Sequence, residues 1–516
     1  MRYLCSATCW LLIILVRLPA VEPLALPHAT VDLPTDPAVV WERLDNGLIV
    51  AVRPNDEPAD KLSLRLYIRA GSIDETDDER GAAHYLEHMA FNGSEHFAPG
   101  ELIETLQKLG VGFGNHLNAH TGFEETVYKL DLPDAETATL EQGLLVMADW
   151  AGGLSILPEE VERERGVILA EMRDRDSPGL RRARHTYGAF FAETRVADRF
   201  PIGVAETVSA MTAADLRGYY ERWYRPDNMV LAVVGAVDPT AVLPLVRQRF
   251  GSLPPAKEPR PTKPIGDVAT SPFQATVYVD EELGDSLLRW VGLQPAAPAD
   301  DGPAWRRRML YRDLVADIVE RRFADIAEAA DAPIVGGGFG IWHSFGHRNA
   351  LIQVRVKEAR FAAALRLLEH ERRRLLEFGV TAAELSVAVA GKRADLARAV
   401  ERAATRTNAD LARALYVGVR EGQVFLTPEQ QQALYEPWLA AATPAVLQEA
   451  IADPAWNDPH RAVLSLEART TPAAAGEDGQ AWLAEHWHSA ADEQVAPPAE
   501  AELATWAYGD RPQHEA

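Results

Sequence analysis

Five prolines crowd into eleven positions, at Pro254, Pro255, Pro259, Pro261 and Pro264, and rule out a helix or central strand there. Proline has a fixed φ and no amide donor, so neither element can run through such a stretch. The chain must therefore be built as two halves joined by an extended linker. Of its 516 residues, roughly 200 fall in each half, enough for an independent core. An earlier series, Pro19, Pro23, Pro27, Pro34 and Pro37, makes the approach to Val40 an extended lead-in. The expected organisation is a leader at 1–25, the lead-in at 26–39, a first domain at 40–252, the linker at 253–270, and a second domain at 271–468. Residues 469–516, rich in Ala, Pro and acidic side chains, read as a tail or connector.

In the leader, Arg2 precedes an apolar stretch from Trp10 to Val16, and Ala20 and Ala25 offer cleavage points, the pattern of a secretory signal. An uncleaved anchor is the alternative, but its apolar core would be short and interrupted by Arg17. After cleavage no stable membrane span is expected. Both cysteines, Cys5 and Cys9, lie in this leader, so the mature chain would need no disulfide and could not ligate metal through sulfur. A periplasmic or secreted location follows. The formal net charge of −24 excludes nucleic acid as a partner, since phosphates require a basic surface.

The Asp45-Asn46-Gly47 turn should join two strands. Leu62, Leu64, Leu66 and Ile68 alternate with Ser63, Arg65 and Tyr67, which predicts a half-buried strand. The second half also mixes strands (351–356) with helices, and the Thr381/Glu384 capping box starts one of these. No repeat is obvious between the halves, yet their similar length and mixed content predict two related α+β units.

Chemistry concentrates in GAAHYLEHMAF. Positions 84, 87, 88 and 91 fall at i, i+3, i+4 and i+7 and share one helix face, with Ala82, Leu86, Met89 and Ala90 on the buried one. His84 and His88, one turn apart, can grip one metal ion. Glu87 beside them can take a proton from an attacking water and pass it to a leaving amine. Nitrogen donors with an open position and no cysteine indicate catalytic rather than structural zinc. The plain alternative is a surface histidine pair, because with 14 His in the chain the pattern can arise by chance. A third protein ligand is needed, and VERERGVILAEMRD offers Glu164 and Glu171, seven residues apart on one helix face.

Taken together, these segments resemble the pitrilysin and insulinase family of inverzincin metallopeptidases, whose signature is H-x-x-E-H. The likeness extends over LDNG at Leu44, GAAHYLEHMAFNGSEHF, NAHTGFEETVY from Asn118, ERGVILAE from Glu164 and YYERWYRPDNMVLAVVG before the linker. It covers the first half closely and the second loosely. The resemblance implies half of a clamshell: two related α+β domains, each an antiparallel-rich sheet packed with helices. It further implies that His84, His88 and Glu171 bind zinc, that Glu87 is the general base, and that Glu164 orients a ligand. Asn118 and Ala119 match a strand that holds an extended peptide substrate by main-chain pairing, with His116 and His120 lining the groove.

Members of this family also supply an Arg and a Tyr, seven residues apart, to the developing oxyanion. The counterpart positions here are Ala327 and Ile334, so that pair is expected from a second subunit or homologous half. The resulting expectation is a zinc endopeptidase acting on extended or unfolded peptides and completed by a partner. A self-sufficient homodimer and a non-catalytic binding or processing subunit are the alternatives.

Overall fold

The structure, a computed structural model, describes residues 24–498 except 30, 259, 261–264, 298–299, 358–359 and 473–477. Nearly all of the expected leader, part of the linker and the end of the expected tail lie outside the described residues.

The first sheet has six strands: β1 (Val40–Arg43), β2 (Ile49–Pro54), β3 (Leu62–Ile68), β4 (Leu117–Thr121), β5 (Thr126–Leu132) and β6 (Met229–Gly235). Their spatial order is β1-β2-β6-β3-β5-β4. Only β2 and β6 run parallel. The second sheet contains β7 (Ser271–Val279), β8 (Ser286–Pro295), β9 (Ile334–Ser344), β10 (His347–Val356) and β11 (Arg461–Ala468), in the order β7-β11-β8-β10-β9. Here only β7 and β11 are parallel. Dropping β1 makes the two orders identical, with the last strand of each unit inserted between its first two. The halves share a topology that no sequence repeat reveals.

The Asn46-Gly47 turn connects β1 and β2 as its residues demand. Gly47 has φ 99°, and a Cβ there would meet Asp227 Cβ at 2.7 Å, so both the backbone and the space require glycine. Asn46 Nδ2 donates to the Phe250 and Leu253 carbonyls at 2.8 and 3.2 Å, tying the turn to the end of the domain.

The expected half-buried strand at 62–68 is corrected: all seven residues of β3 are buried. One face carries Leu62, Leu64, Leu66 and Ile68 into the main core of the first domain. The other face, with Tyr67 and its neighbours Ile49, Ala51, Val127, Val230, Ala232 and Val234, is covered by Leu411, Ala412, Leu415, Tyr416 and Val419. These belong to a helix of the second half, Asn408–Arg420. Arg65 survives burial on that face by pairing with Asp131 at 2.7 Å. The cover is reciprocal. Helix Pro178–Phe190 of the first half lies against the second sheet, where Thr186 Oγ1 meets Glu467 Oε1 at 3.2 Å and the His185 ring stacks on Tyr278.

Asn408 pins the first of these contacts. Its Nδ2 donates to the carbonyls of Pro58 and Lys61 at 3.2 and 3.1 Å, and its Oδ1 accepts from Asn55 Nδ2 at 2.8 Å. The residue is 1% exposed, so Asn408→Ala strands buried polar groups. It should lower stability by about 1–3 kcal/mol, measured by chemical denaturation; an unchanged midpoint would mean that the helix is held by packing alone.

The segment after Arg469 differs from the sequence expectation. Within it, Gly479–Ala491 forms a helix whose Leu483, Trp487 and Ala490 are buried in the second core. Their spacing is that of a helix face, hidden in an Ala-rich, acidic composition. Among the described residues, no helix is long and apolar enough to cross a membrane.

Candidate metal centre

Helix Ala82–Met89 follows Gly81, whose φ of 101° turns the chain into it. Glu75, fully buried, caps its start by accepting from the Gly81 and Ala83 amides at 3.0 and 2.9 Å. Burial pushes the Glu75 carboxyl up to about 8, although both amide bonds favour its ionised form. Ala82, Ala83, Tyr85, Leu86 and Met89 are buried, and the Tyr85 hydroxyl donates to the Val161 carbonyl. That carbonyl belongs to helix Pro158–Asp174, which carries Glu164 and Glu171. At the other end, Trp150 Nε1 donates to the Ala90 carbonyl at 2.9 Å. The helix is therefore fixed at both ends and along its buried side.

Its remaining face brings His84 and His88 together with Glu171 from the second helix, one ligand atom from each lying within 4.8 Å of the others. Glu171 Oε2 is 3.2 Å from His88 Nε2 and 3.8 Å from His84 Nε2. The other carboxylate oxygen, Oε1, is held by Arg175 at 2.5 Å. Glu164 does not join this group. Its Oε1 lies 2.8 Å from His88 Nδ1, while its Oε2 accepts from Asn92 Nδ2 at 2.8 Å.

This arrangement suits a cation. With Glu164 accepting the Nδ1 proton, a neutral His88 would present its Nε2 lone pair to the Glu171 carboxylate 3.2 Å away, where a cation could bridge the two. Burial, followed by the His88 charge, pulls the His84 pKa down to about 3, which keeps that imidazole neutral and able to ligate. His84 Nδ1 is buried and has no hydrogen-bond partner among the described residues. For His88, burial acts downward, but the Glu164 hydrogen bond and the charges of Glu164, Glu87 and Glu171 outweigh it and raise the pKa. The His88 bond, opposed by burial, holds the Glu164 carboxyl below its usual range. Two nitrogens, one carboxylate oxygen and no thiolate are a donor set that catalytic zinc sites use.

Glu87 lies on the same helix face but outside the donor group. It is 9% exposed. Burial raises its pKa against the opposing Thr121 hydrogen bond. Thr121 Oγ1 donates to Glu87 Oε2 at 2.6 Å. Thr121 ends β4, the last strand in the sheet order, whose partner strand is β5, with one further bridge from Phe113 to Leu117. Asn118 and Ala119 sit on this strand, exposed and half-buried respectively. Among the described residues no further strand pairs with Ala119 to Thr121 on the side away from β5.

His116 and His120 stay out of the metal group: His116 Nδ1 accepts from the Gly112 amide at 3.2 Å, and His120 Nε2 lies 3.5 Å from Glu125. Ala327 ends helix Pro303–Ala327 and Ile334 begins β9, both packed in the second core. That helix occupies, between β8 and β9, the slot that the His84 helix occupies between β3 and β4, and it contains no histidine. Sequence reasoning missed Thr121, Asn92 and Arg175. Thr121 lies inside a quoted motif run, but nothing in its spacing points at Glu87.

Models of two domains match the chain: "Insulinase (Peptidase family M16)" over residues 50–198 and "Peptidase M16 inactive domain" over residues 210–392. Together they span more than half of it. A probable zinc protease of Escherichia coli, PqqL, is 29% identical over 425 residues, which is 81% of this chain and 45% of that protein. Its counterpart from Haemophilus influenzae is 40% identical over 42% of this chain and 24% of its own length. The chain spans less than half of these relatives. The crystal structure of the first half of the periplasmic protease PqqL from Escherichia coli superposes with a TM-score of 0.82 at 26% identity, covering 90% of this chain and 99% of that one.

Proposed function

Since this chain belongs to the insulinase family, peptidase family M16, we propose that it is a zinc-dependent endopeptidase for extended or unfolded peptides, completed by a second homologous half. The observation that carries the reading is the convergence of His84, His88 and Glu171 with Glu87 alongside. His84, His88 and Glu171 would hold the zinc. Zinc bound there would polarise the scissile carbonyl and acidify a water.

The remaining steps belong to the chain's own side chains. Glu87 takes the proton of the attacking water on its carboxylate and later delivers it to the leaving amine. Its burial suits this role, because a carboxylate with a raised pKa holds the proton better between the two transfers. The Thr121 hydroxyl fixes one Glu87 oxygen. Glu164 sets the ring of His88. The open edge of β4 would take the substrate as an added strand, which restricts substrates to segments able to become extended. The oxyanion would lean on donors from the partner half, because Ala327 and Ile334 offer none. The net charge of −24 fits a peptide substrate and no nucleic acid. A periplasmic or extracellular setting agrees with the periplasmic relative.

Metal analysis tests the site. Purified protein should carry close to one equivalent of zinc, lost in His84→Ala and much reduced in Glu171→Gln. Glu164→Gln should keep the ligands but weaken affinity by roughly 10–100-fold. Full zinc retention in Glu171→Gln would overturn its assignment and make Glu164 the first alternative. A zinc-loaded protein that hydrolyses nothing, even with a complementary half present, would instead indicate a binding or processing subunit.

A further inference from the structure

The turn that follows β4, Gly122 to Glu125, belongs to the first domain, yet two of its side chains are held by the second. Arg420, the last residue of helix Asn408–Arg420, places Nη1 at 2.9 Å from both carboxylate oxygens of Glu125. Glu125 in turn lies 3.5 Å from His120 Nε2, on the strand itself. Arg420 also bonds Glu421 at 2.8 Å. It is the cation that Glu125 and Glu421 share, and without it the Glu125 charge would lose its partner from the second domain.

On the other side stands Phe345. It tips the β9–β10 hairpin, the counterpart in the second sheet of the β4–β5 turn, and its ring meets Phe123 edge-on at 5.5 Å. Phe123 is stacked on Tyr187 at an interplanar angle of 3°, and Phe191 packs against Phe345 at 5.3 Å. Phe345 has φ 50° and Gly346 φ 72°. A two-residue hairpin turn with both φ positive favours Asn, Asp or Gly, so a phenylalanine there is strained. What the ring gains is its seat against Phe123.

The first domain holds this turn as well, through Tyr187 and Phe200 against Phe123 and through backbone bonds. Ser72 and Ile73 amides donate to the Gly122 and Phe123 carbonyls at 3.1 and 2.9 Å. Beyond it, β4 is a five-residue strand at the sheet's edge, paired to β5 and bridged at Leu117 by Phe113. Such strands open locally unless their ends are anchored. We propose that the second domain clamps the turn 122–125, with Arg420 and Phe345 as positioning residues, and so holds β4 in the extended form to which an incoming peptide can pair. The proposal rests on the peptidase reading above and deepens it by giving the domain without metal ligands a task at the site.

The test uses the full zinc-loaded chain and its Arg420→Gln, Arg420→Lys and Phe345→Gly variants, read by amide hydrogen exchange. Exchange over residues 117–126 should accelerate about tenfold or more in Arg420→Gln and Phe345→Gly, with β3 and helix 408–420 unchanged, and recover in Arg420→Lys. With an unstructured peptide and the complementary half present, KM should rise about five- to tenfold while kcat stays within twofold. Unchanged exchange at 117–126 would overturn the clamp. So would acceleration spread evenly over both halves, or a loss confined to kcat. Were the wild-type chain to hydrolyse nothing under any condition, the peptidase reading would fall, while the exchange pattern would still decide whether the second domain clamps the turn.

Discussion

Peptide hydrolysis by Glu87→Gln should fall roughly 10²- to 10⁴-fold, the usual contribution of a positioned proton acceptor, with zinc content and fold unchanged. The amide has the size of the carboxylate and can still accept the Thr121 hydroxyl through its oxygen. It cannot take up a proton from water. Because Glu87 stands outside the donor group of His84, His88 and Glu171, the metal content of the variant should match that of the wild type. Parallel measurements of bound zinc and of turnover separate the two roles. Activity within tenfold of wild type would remove Glu87 from proton transfer, and lost zinc would place it among the ligands instead.

The second large effect concerns completeness. The chain alone should be a slow peptidase and gain about 10²- to 10³-fold when a polypeptide bearing the missing Arg and Tyr donors is added, the range that one oxyanion donor commonly supplies. Ala327 and Ile334, where family resemblance would seek that pair, are packed into the second core and cannot be turned to the purpose. An open half-shell also leaves water free to compete and peptides loosely oriented. The chain spans 45% of the length of its Escherichia coli relative, which leaves room in such proteins for another half. Turnover of an unstructured peptide should be measured with the chain alone and then with the product of a neighbouring gene. Strong activity from a monomer, indifferent to any added chain, would overturn the half-enzyme view and leave the metal site standing.

Much of the site was legible because helical periodicity is a local property: the i, i+3, i+4 spacing of His84, Glu87 and His88 fixes their common face before any tertiary contact forms. The two-unit α+β architecture was equally legible, in the similar length and mixed content of the halves. What escaped was non-local. Nothing in Leu62 to Ile68 announces that a helix beginning at Asn408 would cover the polar-looking face, so β3 read as half-buried. Thr121 reaches Glu87 across 34 residues of sequence, and Asn92 reaches Glu164 across 72. The helix 479–491 was obscured by composition, its three buried side chains being few among alanines and acids. The shared topology of the two sheets left no residue pattern to find, because equal strand order does not require equal side chains.

Each half wears the other's helix over a sheet face that would otherwise be bare. A gene cut at the proline linker would release a first domain showing water a continuous apolar panel that includes Ile49, Ala51, Tyr67, Val127, Val230, Ala232 and Val234. Such a panel invites aggregation. The solubility of the half that carries His84, His88 and Glu171 is thus encoded in the reading frame of its partner domain. Selection on Leu411, Leu415 and Tyr416 should therefore be as strict as on many residues nearer the metal, although these three are remote from any bond being cut. For the same reason, the second domain cannot be shed by mutation in small steps: the first deletion to reach its bridging helix would remove the first domain from solution.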